Sequence, residues 1–465
     1  MTSLKDLVII GGGISGLSAA FHAERNNLDF VLLEASNRFG GAVFTSSMDN
    51  GYLCERGPGS LVIGNCLSEI INRVQLKPLK ASPKAKHKLV FSDCTLHQIT
   101  RPFYIFLSNF LSTETKLSFF KDFFSFRQTD KQSSLNSNKD DKDESVKSFF
   151  ESRFNEEFVN KLIWPVLSGI YAGNPAQLSI RTVWPKIYEL DKKYQSISRG
   201  MLFSLLKKGK KENREIYSFE SGLNELINGI VQYLPSERLK LNSQITLVEE
   251  CSSLEKGYKY FLHSNSGEKI LAKRVIIATP SYVAASLMPL RLSELQKITY
   301  SPLVTVNCWM NKSLMRESNQ KLVEESFGFL SSKNEDIKTL GVIFNSSLFP
   351  KRAPDECFSF TIFLGGSNFP ELISLSDNQI KDICIEDINK AFNLTGKLEH
   401  KDLKVKLISR WKKAVPQLSL GHHNLIQSTL ENLPNDIAIA GNYIKGVSIE
   451  NAAQSGLDAI KKLIP

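Results

Sequence analysis

The chain has 465 residues, of which 42% are hydrophobic and 23% are charged. It is long enough to bury large cores and to divide into two or three domains. Its net charge of +10 favours anionic partners, such as a phosphate-bearing cofactor, a carboxylated substrate or an acidic membrane surface. The tight basic run at 207–211 lacks interleaved aromatic residues, which argues against nucleic acid as a partner.

Cysteine usage and the apolar runs bear on location. The seven cysteines are scattered without a C-x-x-C pair, which is typical of a reducing compartment. The first apolar run begins by residue 7, so we expect no signal or transit peptide. No run of about 18 apolar residues is present, so we expect no transmembrane segment. The expected location is cytoplasmic, and a peripheral contact with the inner face of the membrane is left open.

A glycine-rich turn follows the first apolar run, Leu7–Ile10, and precedes a helix-like run. The turn reads Gly11-Gly12-Gly13-Ile14-Ser15-Gly16. Gly11 allows a tight turn, Gly13 lets the backbone approach a pyrophosphate, and Gly16 lets the helix pack closely on the strand. The helix N-terminus offers N–H groups and a partial positive charge to phosphates. The pattern predicts dinucleotide binding, with a plain tight turn in a parallel sheet as the alternative.

A second apolar run, Phe30–Leu33, ends at Glu34. An acid at this offset accepts hydrogen bonds from a ribose diol. The polar loop that follows contains Ala35 and Arg38, and Arg38 lies within reach of the same phosphates. A solvated loop arginine is the alternative for Arg38.

Residues 101–126 are rich in aromatic side chains. The apolar residues at helical offsets are Phe103, Phe106, Leu107, Phe110, Leu111, Leu117, Phe120 and Phe124. Two interpretations stay open: a pair of core helices, or a helical lobe that rests on a membrane or lines an apolar tunnel. The polar stretch 127–145 predicts a solvated loop, and we interpret Asp140, Asp141 and Asp143 as loop charge, so no metal site is expected.

Strands and helices alternate from residue 215 to the end. We predict helices at 222–233, 377–392 and 449–463, and strands at 239–247, 258–263, 271–278, 304–309, 341–345, 358–365 and 437–440. The last strand runs into Gly441 and a helix, which repeats the strand–glycine–helix pattern of the N-terminus. The two chain ends are therefore expected to close one discontinuous domain.

The fold class that we predict is α/β with three parts. A Rossmann-like cofactor domain is expected at 1–80, 211–285 and 405–465. A helical, membrane-contacting lobe is expected at 81–210, and a mixed-sheet substrate domain at 286–404.

These segments together resemble the flavin-dependent amine-oxidase superfamily, and within it the protoporphyrinogen oxidase family. The superfamily pattern is the glycine turn at 11–16, then Glu34 with the segment 38–41, then the stretch at Gly441. The narrower resemblance rests on five further segments in family order. They are Pro165–Pro175, Thr339–Ile343, Ser347–Pro354, Ala414–Gln417 with Gly421-His422, and Gly441–Tyr443 with Gly446–Ser448.

The resemblance implies FAD as the cofactor. It assigns the pyrophosphate to the glycine turn, the adenosine ribose to Glu34 and the adenine to the backbone of Ile245. It assigns the flavin end to Gly57-Pro58-Gly59-Ser60. Ala42 stands where the family often has arginine or lysine, so any phosphate contact there is expected from the backbone.

The resemblance also implies which residues lie near the flavin ring. Trp411 is expected to pack close to the ring, with a core tryptophan as the alternative. Val447-Ser448-Ile449 is expected to offer N–H groups at the start of the last helix. Reduced flavin is negatively charged at the edge that they would face, and a helix N-terminus stabilises that charge.

The substrate implied by the resemblance is a porphyrinogen, which molecular oxygen oxidises to a porphyrin with release of hydrogen peroxide. Leu340 and Phe360 match positions whose side chains sandwich the macrocycle, and Gly169 matches a position whose carbonyl faces it. The family often has an arginine near residues 86–88 that binds a propionate. Here Lys88, or His87 if protonated, would serve as a point charge without a bidentate fork.

Three other functions are weighed against protoporphyrinogen oxidation. They are coproporphyrinogen oxidation on the same fold, another flavin oxidase or desaturase, and a non-catalytic binding protein. The segment Ala414–Gln417 argues against an amine oxidase. Glu34, the Gly57 turn and Val447–Ile449 argue against a binding protein. A homodimer is left open.

Overall fold

The computed structural model describes residues 2–48, 51–99, 105, 108–125, 143–206, 215–251, 257–267 and 269–464. Several sequence expectations fall outside these ranges. They concern the polar loop over 127–142 with Asp140 and Asp141, the basic run at 207–211, and the helical positions Phe103, Phe106 and Leu107.

The strands are numbered in chain order within the described ranges. They are β1 (Thr2–Ile10), β2 (Phe30–Leu33), β3 (Thr45–Ser47), β4 (Leu53–Glu55), β5 (Leu61–Val62), β6 (Leu79–Lys80), β7 (His87–Ser92), β8 (Thr95–Gln98), β9 (Ile216–Ser218), β10 (Leu239–Lys240), β11 (Ile245–Glu250), β12 (Tyr260–Ser264), β13 (Lys269–Ile277), β14 (Tyr300–Asn311), β15 (Ser326–Ser331), β16 (Thr339–Phe344), β17 (Cys357–Gly365), β18 (Leu403–Pro416) and β19 (Ile437–Ile439).

The α-helices are numbered in the same way. They are α1 (Ile14–Arg25), α2 (Asn65–Arg73), α3 (Thr113–Phe124), α4 (Val146–Glu151), α5 (Glu156–Phe158), α6 (Trp164–Tyr171), α7 (Ile180–Val183), α8 (Pro185–Tyr194), α9 (Ile197–Leu206), α10 (Asn224–Tyr233), α11 (Ser281–Leu287), α12 (Pro289–Leu292), α13 (Glu317–Glu324), α14 (Asn345–Leu348), α15 (Asp377–Ala391), α16 (His422–Glu431), α17 (Asn442–Lys445) and α18 (Ile449–Leu463). A π-helical turn, Val159–Ile163, leads into α6.

The first sheet has the strand order β10-β2-β1-β13-β12-β11, and β19 pairs with β13. Strand β1 lies between β2 and β13 and is parallel to both, so Ile10 pairs with Leu33 and with Ile277. Helices cover both faces of parallel strands, which explains why β2 is buried along its whole length. The carboxyl ends of β1 and β2 lie side by side, so the glycine turn and Glu34 meet at one edge.

The two ends of the chain pack against each other in this domain. The hydroxyl of Ser18 on α1 donates to the carbonyl of Ala453 on α18 at 2.7 Å. A Cβ on Gly456 would lie 2.1 Å from the carbonyl oxygen of Ser15, so only glycine allows this close approach of the two helices. The first and last helices of the chain thus pack directly on each other, and their closure of one discontinuous domain stays a prediction.

The second sheet has the strand order β18-β14-β17-β16-β15-β7-β8. One of its faces packs on α15 and buries a core that includes Phe358, Phe360 and Ile362 of β17. The other face carries the alternate residues of β17. Of these, Thr361 is buried and Phe363 is half-buried.

The domain boundaries differ from the expected ones at two places. Strands β7 and β8 were expected in the helical lobe, but β7 pairs with β15 and places Leu89 and Phe91 in the core of the second sheet. Strand β18 was expected in the cofactor domain, but it pairs with β14 as an edge strand of the same sheet. Such pairings join segments that lie far apart in the sequence, so local patterns do not show them.

Helices α3 to α9 form the helical lobe, whose core includes Phe149, Phe150 and Leu167. Among the side chains that the structure describes on α3 and α9, six large apolar ones are exposed. They are Leu117, Phe120, Phe124, Met201, Leu202 and Phe203. Among the helices in the described ranges, none has both the length and the apolar content that crossing a bilayer requires.

Candidate functional site

The glycine turn connects β1 to α1 through close backbone packing. Gly11 has a φ of +105°, a conformation that favours glycine, and a Cβ there would lie 2.6 Å from the carbonyl oxygen of Ala278. A Cβ on Gly16 would lie 1.8 Å from the carbonyl oxygen of Gly11. These contacts fix the N-terminus of α1 at the carboxyl edge of the sheet.

The space in front of α1 fits a diphosphate. Gly13 is the N-cap of α1, and no side chain caps the helix there. A Cβ on Gly13 would meet no atom within 4 Å, so the first-turn N–H groups, those of Ile14, Ser15 and Gly16, are not screened by a side chain on this residue. Uncapped N–H groups and the helix dipole together favour a bound anion.

Glu34 lies beside this turn and is held by hydrogen bonds. Its Oε2 accepts the backbone N–H of Gly12 at 2.6 Å, and its Oε1 accepts the N–H and hydroxyl of Ser36 at 2.8 and 2.7 Å. A carboxylate fixed at the end of β2 has lone pairs left to accept hydroxyl groups of a ribose. The residues at this edge therefore fit the adenosine half of FAD.

Arg38 shapes the loop that follows Glu34. Its guanidinium donates to the carbonyls of Phe39 and Gly41 at 3.2 and 2.6 Å and lies over the ring of Phe44. Burial lowers the pKa of Arg38 below its ordinary value, while the Glu34 carboxylate opposes this shift. Arg38 thus binds the carbonyls of its own loop. A contact between Arg38 and a phosphate of the cofactor stays a proposal. Ala35 is exposed at the start of this loop.

The loop at 38–43 packs directly on the glycine turn. The N–H of Gly40 donates to the carbonyl of Gly12 at 2.8 Å. The carbonyl oxygen of Ala42 would lie 2.1 Å from a Cβ on Gly57. The backbone at Ala42 therefore packs on the Gly57–Ser60 turn, and a backbone contact from Ala42 to a phosphate stays a proposal.

Ile245 opens β11 close to the end of β2. The N–H of Ser243, two residues before it, donates to the carbonyl of Glu34 at 2.8 Å. The side chain of Ile245 is buried in the core of the first sheet. The backbone of Ile245 thus lies near Glu34, where the adenine contact is proposed.

The second sheet holds the chain just before the Gly57–Ser60 turn. The carbonyl of Arg56 accepts the Thr305 hydroxyl and the Trp411 indole N–H, each at 3.1 Å. The carbonyl of Glu55 accepts the Asn307 amide at 3.0 Å. Trp411 is half-buried, so it is an anchor for this turn and not a tryptophan of the core.

This anchoring continues across the sheet and brings the turn to the strand β16. Thr361 donates to the amide oxygen of Asn307 at 2.9 Å and accepts the amide of Asn345 at 2.8 Å. A Cβ on Gly59 would lie 3.8 Å from Cδ1 of Ile343. The Gly57–Ser60 turn, which is proposed to bind the flavin end of FAD, thus lies against polar and apolar residues on one face of the second sheet.

The loop before α18 joins the cofactor domain to the lobe. Ser448 caps the helix by accepting the Asn451 N–H at 3.1 Å, and Val447 packs against the lobe core. The Glu450 carboxylate accepts three N–H groups at the start of α2, at distances of 3.0 to 3.1 Å. These contacts fix Val447, Ser448 and Ile449 in place, and their contact with flavin is a proposal.

Helix α6 packs on an apolar part of the second sheet. Gly169 of α6 contacts Leu330 of β15, because a Cβ on Gly169 would lie 2.4 Å from Cδ2 of Leu330. Leu330 pairs with Gly341, and Gly341 pairs with Phe363. Paired residues on neighbouring strands share a face, so Leu330, Gly341 and Phe363 form one row on the face toward α6. We name the region between α6 and this row the slot.

Leu340 is directed toward the slot by a bulge in β16. Thr339 pairs with Leu364 and Gly341 pairs with Phe363, which leaves Leu340 as the extra residue. Its Cδ1 would lie 3.1 Å from a Cβ on Gly366, next to Ala172 at the end of α6. Leu340 therefore lies near the end of α6, and its contact with a substrate stays a proposal.

The burial of Phe360 contradicts its expected place in the slot. Its side chain has no exposed surface, and its ring packs with those of Phe344 and Phe392 in the core on the α15 side. Phe363 lies three residues further along β17 and points to the opposite face. The alternation along β17 could have revealed this, because Phe358, Phe360 and Ile362 form the apolar core row.

Lys88 belongs to the slot face of the second sheet. It pairs with Gly328, which pairs with Ile343, so the three residues form one row across the sheet. Two strand spacings put the Cα atoms of Lys88 and Ile343 about 10 Å apart. His87 points to the other face, where its Nε2 lies 3.8 Å from Glu325. Lys88 is thus better placed than His87 to contact a substrate carboxylate.

Asp387 of α15 holds the strand β16 just before the bulge. Its Oδ2 accepts the N–H groups of Lys338 and Thr339 at 3.0 and 2.8 Å, and the Thr339 hydroxyl at 2.6 Å. Burial raises the pKa of Asp387 to about 6, while these hydrogen bonds and Lys390 oppose the shift. The carboxyl group is therefore costly to ionise in the folded protein.

Asp387→Asn is expected to flatten the pH dependence of stability. A carboxyl pKa raised to about 6 favours the protonated form in the fold, so its contribution is greatest below about pH 4 and falls as the pH rises to about 6. The change is on the order of 2 to 3 kcal/mol. The amide oxygen can accept the same bonds without a charge. Urea unfolding at about pH 5 and about pH 7.5 checks this; an equal pH dependence in both proteins would contradict it.

Known proteins resemble this chain along its whole length. A family model described as flavin containing amine oxidoreductase matches residues 14–463. Coproporphyrinogen III oxidase of Bacillus subtilis (strain 168) is 29% identical, over 96% of this chain and 94% of the relative. Mitochondrial protoporphyrinogen oxidase of Nicotiana tabacum is 28% identical, over 100% of this chain and 95% of the relative.

A solved structure has the same architecture. It is a provisionally named protoporphyrinogen oxidase from Exiguobacterium sp. 255-15 and is 26% identical to this chain. The superposition has a TM-score of 0.78 and covers 100% of this chain and 99% of the other.

Proposed function

The chain belongs to the family of flavin containing amine oxidoreductases, and from this premise we propose that it oxidises protoporphyrinogen IX to protoporphyrin IX in haem biosynthesis. It is an FAD-dependent oxidase. The slot carries the proposal, because apolar side chains and glycines line it and it adjoins the Gly57–Ser60 turn. A flat apolar macrocycle suits such a wall better than a small amine does.

The residues of this chain would act by binding and orientation. Bound FAD would supply the oxidation in repeated two-electron steps, in each of which the substrate loses a hydride from a bridging carbon and an N–H proton, and oxygen would take up the electrons as hydrogen peroxide. The α1 N-terminus and Glu34 hold the diphosphate and ribose, and Thr305, Asn307 and Trp411 fix the flavin-end turn. Leu330, Leu340 and Phe363 exclude water and hold the reacting carbon in place.

Parallel assays of two substrates test this proposal. The purified protein is given FAD and either protoporphyrinogen IX or coproporphyrinogen III, and porphyrin fluorescence and peroxide are followed. We expect protoporphyrinogen to be preferred by about tenfold or more in kcat/KM. Coproporphyrinogen III oxidation is the second candidate, favoured by the relative in Bacillus subtilis, and a reversed preference would establish it. Oxidation of neither substrate would refute both.

We further propose that Lys88 contacts a propionate of the substrate. Lys88→Met is expected to raise KM about tenfold, because a hydrogen bond to a charged group contributes about 1.5 to 3 kcal/mol. Lys88→Arg keeps the charge and should stay close to wild type. Lys86→Met is the matched control, since Lys86 is an exposed lysine that precedes β7. Equal KM values for Lys88→Met and the control would contradict the contact.

The exposed apolar residues of α3 and α9 support a peripheral membrane contact, which we propose for a cytoplasmic protein at the inner face of the membrane. Phe120 and Phe124 are 62% and 71% exposed. Exposed lysines lie nearby, Lys121 on α3 and Lys193 on the neighbouring α8. Apolar rings combined with lysines suit a surface of anionic lipids.

Sedimentation with vesicles that contain phosphatidylglycerol tests the membrane contact. The double variant Phe120→Ser and Phe124→Ser is expected to bind at least about tenfold more weakly than wild type. Leu290→Ser is the matched control, because Leu290 is 98% exposed and lies on α12, outside the lobe. The alternative is a homodimer that covers the exposed apolar side chains of α3 and α9. It would be seen as a dimer in solution that the double variant dissociates, and this result would contradict the membrane contact.

A further inference from the structure

We propose that the segment Gln417–His422, which we call the strap, positions α6 and the Val447–Ile449 loop relative to the second sheet, and so sets the slot in which the substrate lies. Helix α6 carries Gly169, which contacts Leu330 of that sheet. The inference rests on the proposed function, because it assigns the strap a role in binding the porphyrinogen.

Gln417 connects the end of the second sheet to the end of α6. Its side-chain amide donates to the carbonyls of Tyr171 and Val415 at 2.9 and 3.0 Å, and its backbone N–H donates to Thr299 at 2.9 Å. The side chain is buried, and its Oε1 lies 2.4 Å from the position of a Cβ on Gly173. The amide thus occupies the room that the missing side chain of Gly173 leaves.

The middle of the strap pairs with the helical lobe. The carbonyl of Leu418 accepts the Ser179 N–H at 2.9 Å, and the Leu420 N–H donates to Gln177 at 3.1 Å. Leu418 is buried in the lobe core, against which Val447 also packs. The lobe therefore contacts both the strap and the loop before α18.

The end of the strap is attached to the cofactor domain. His422 Nε2 donates to the Tyr443 carbonyl of that domain at 2.7 Å, while the Gly421 N–H still bonds the lobe, donating to Asp143 at 2.8 Å. Tyr443 lies in α17, which leads into Gly446 and Val447. Burial lowers the pKa of His422, which favours a neutral ring with its proton on Nε2.

These contacts make six consecutive residues touch the second sheet, the lobe and the cofactor domain in turn. The width of the slot depends on the position of α6 relative to the second sheet and to the Val447–Ile449 loop. The Gln417 amide contacts the last turn of α6, so its loss should loosen α6 without touching the diphosphate site. Gln417 is therefore a positioning residue and not a catalytic one.

The test compares Gln417→Leu with Asn389→Leu. Leucine keeps the volume of Gln417 but removes the amide. Asn389 is the matched control, because its amide donates to the carbonyls of Ile385 and Leu398 within and beside α15, away from the slot. We expect Gln417→Leu to raise KM for protoporphyrinogen about tenfold with kcat changed less than KM. Its FAD content should equal that of wild type, and Asn389→Leu should leave KM unchanged.

Hydrogen exchange gives a readout that does not depend on activity. Amides of α6 are expected to exchange faster in Gln417→Leu than in wild type, and amides of α1 are not. Gln417→Asn, whose shorter amide cannot reach as far, should show a smaller change if Gln417→Leu does not fold. Unchanged α6 exchange, or equal losses of FAD in both leucine variants, would overturn the proposal. If wild type oxidises no porphyrinogen, the proposed function fails and the exchange data alone decide the role of the strap.

Discussion

Gly16→Ala is expected to give a protein that holds no flavin, whereas Gly13→Ala should fold and bind FAD weakly. A Cβ on Gly16 would lie 1.8 Å from the carbonyl oxygen of Gly11, and backbone cannot yield there as a flexible side chain would. Overpacking of this kind costs about 1 to 3 kcal/mol or more. The strain falls on the turn that binds the diphosphate, so stability and cofactor are lost together.

The change at Gly13 separates packing from cofactor binding. Its backbone is extended, with φ −71° and ψ 178°, so alanine fits without strain. Its Cβ meets no protein atom within 4 Å and enters the space proposed for the diphosphate. We expect a normal unfolding transition and FAD affinity reduced by about 100-fold, which corresponds to about 2.7 kcal/mol.

Thermal melts and titration of the apoproteins with FAD measure both changes. Wild type is the reference, and Glu34→Gln shows the effect of the carboxylate, which accepts the Gly12 and Ser36 N–H groups and is proposed to bind the ribose, with every glycine kept. Gly13→Ala with wild-type FAD affinity would contradict the placement of the diphosphate. Gly16→Ala with wild-type stability would contradict the packing of α1 on the turn.

Phe363→Ala is expected to impair substrate binding, and Phe360→Ala is expected to impair stability. Phe363 lines the slot in one row with Leu330 and Gly341. Its removal should raise KM for the substrate about tenfold or more. The effect on the free energy of unfolding should be small, because the ring is only half-buried and its truncation leaves no closed cavity in the protein. Phe360 is fully buried among aromatic rings, and its truncation should cost about 3 to 5 kcal/mol.

The two phenylalanines are matched in chemistry and lie on one strand, so each is the control for the other. Steady-state kinetics and urea unfolding on the same preparations distinguish them. An increase in KM for Phe360→Ala at unchanged stability, with no such increase for Phe363→Ala, would restore Phe360 to the slot.

Local features of the sequence predicted the cofactor domain well. The glycine turn, Glu34 and the helix Ile449–Leu463 follow from short patterns, because glycine placement and helical periodicity act over a few residues. The contact between the two chain ends was also expected, since the same pattern recurs at both of them.

The parts that could not be predicted depend on contacts between distant segments. The assignment of β7 and β18 to the second sheet is set by strand pairing, which no short window contains. The bulge at Leu340 depends on the register between β16 and β17 and on Asp387 from α15. Arg38 was assigned to phosphates by proximity in sequence, but its hydrogen bonds go to loop carbonyls that only the folded chain brings within reach.

The sequence also did not show that the second sheet holds the Gly57–Ser60 turn, which is proposed to bind the flavin end of FAD. Thr305 and Asn307 carry no motif, and they matter because their strand lies beside the Glu55–Arg56 backbone. Polar residues that alternate with apolar ones in β14 were the available signal. Such alternation marks a face but does not reveal what covers it.

We propose that one bound flavin lies against the slot and oxidises a porphyrinogen held there. The most direct test is the visible spectrum of the purified holoprotein under anaerobic conditions, before and after addition of protoporphyrinogen IX. We expect the yellow flavin absorption to bleach on addition of substrate, and to return with porphyrin and hydrogen peroxide when oxygen is admitted. A protein that stays colourless with added FAD, or whose yellow spectrum persists while substrate is present, would contradict the account.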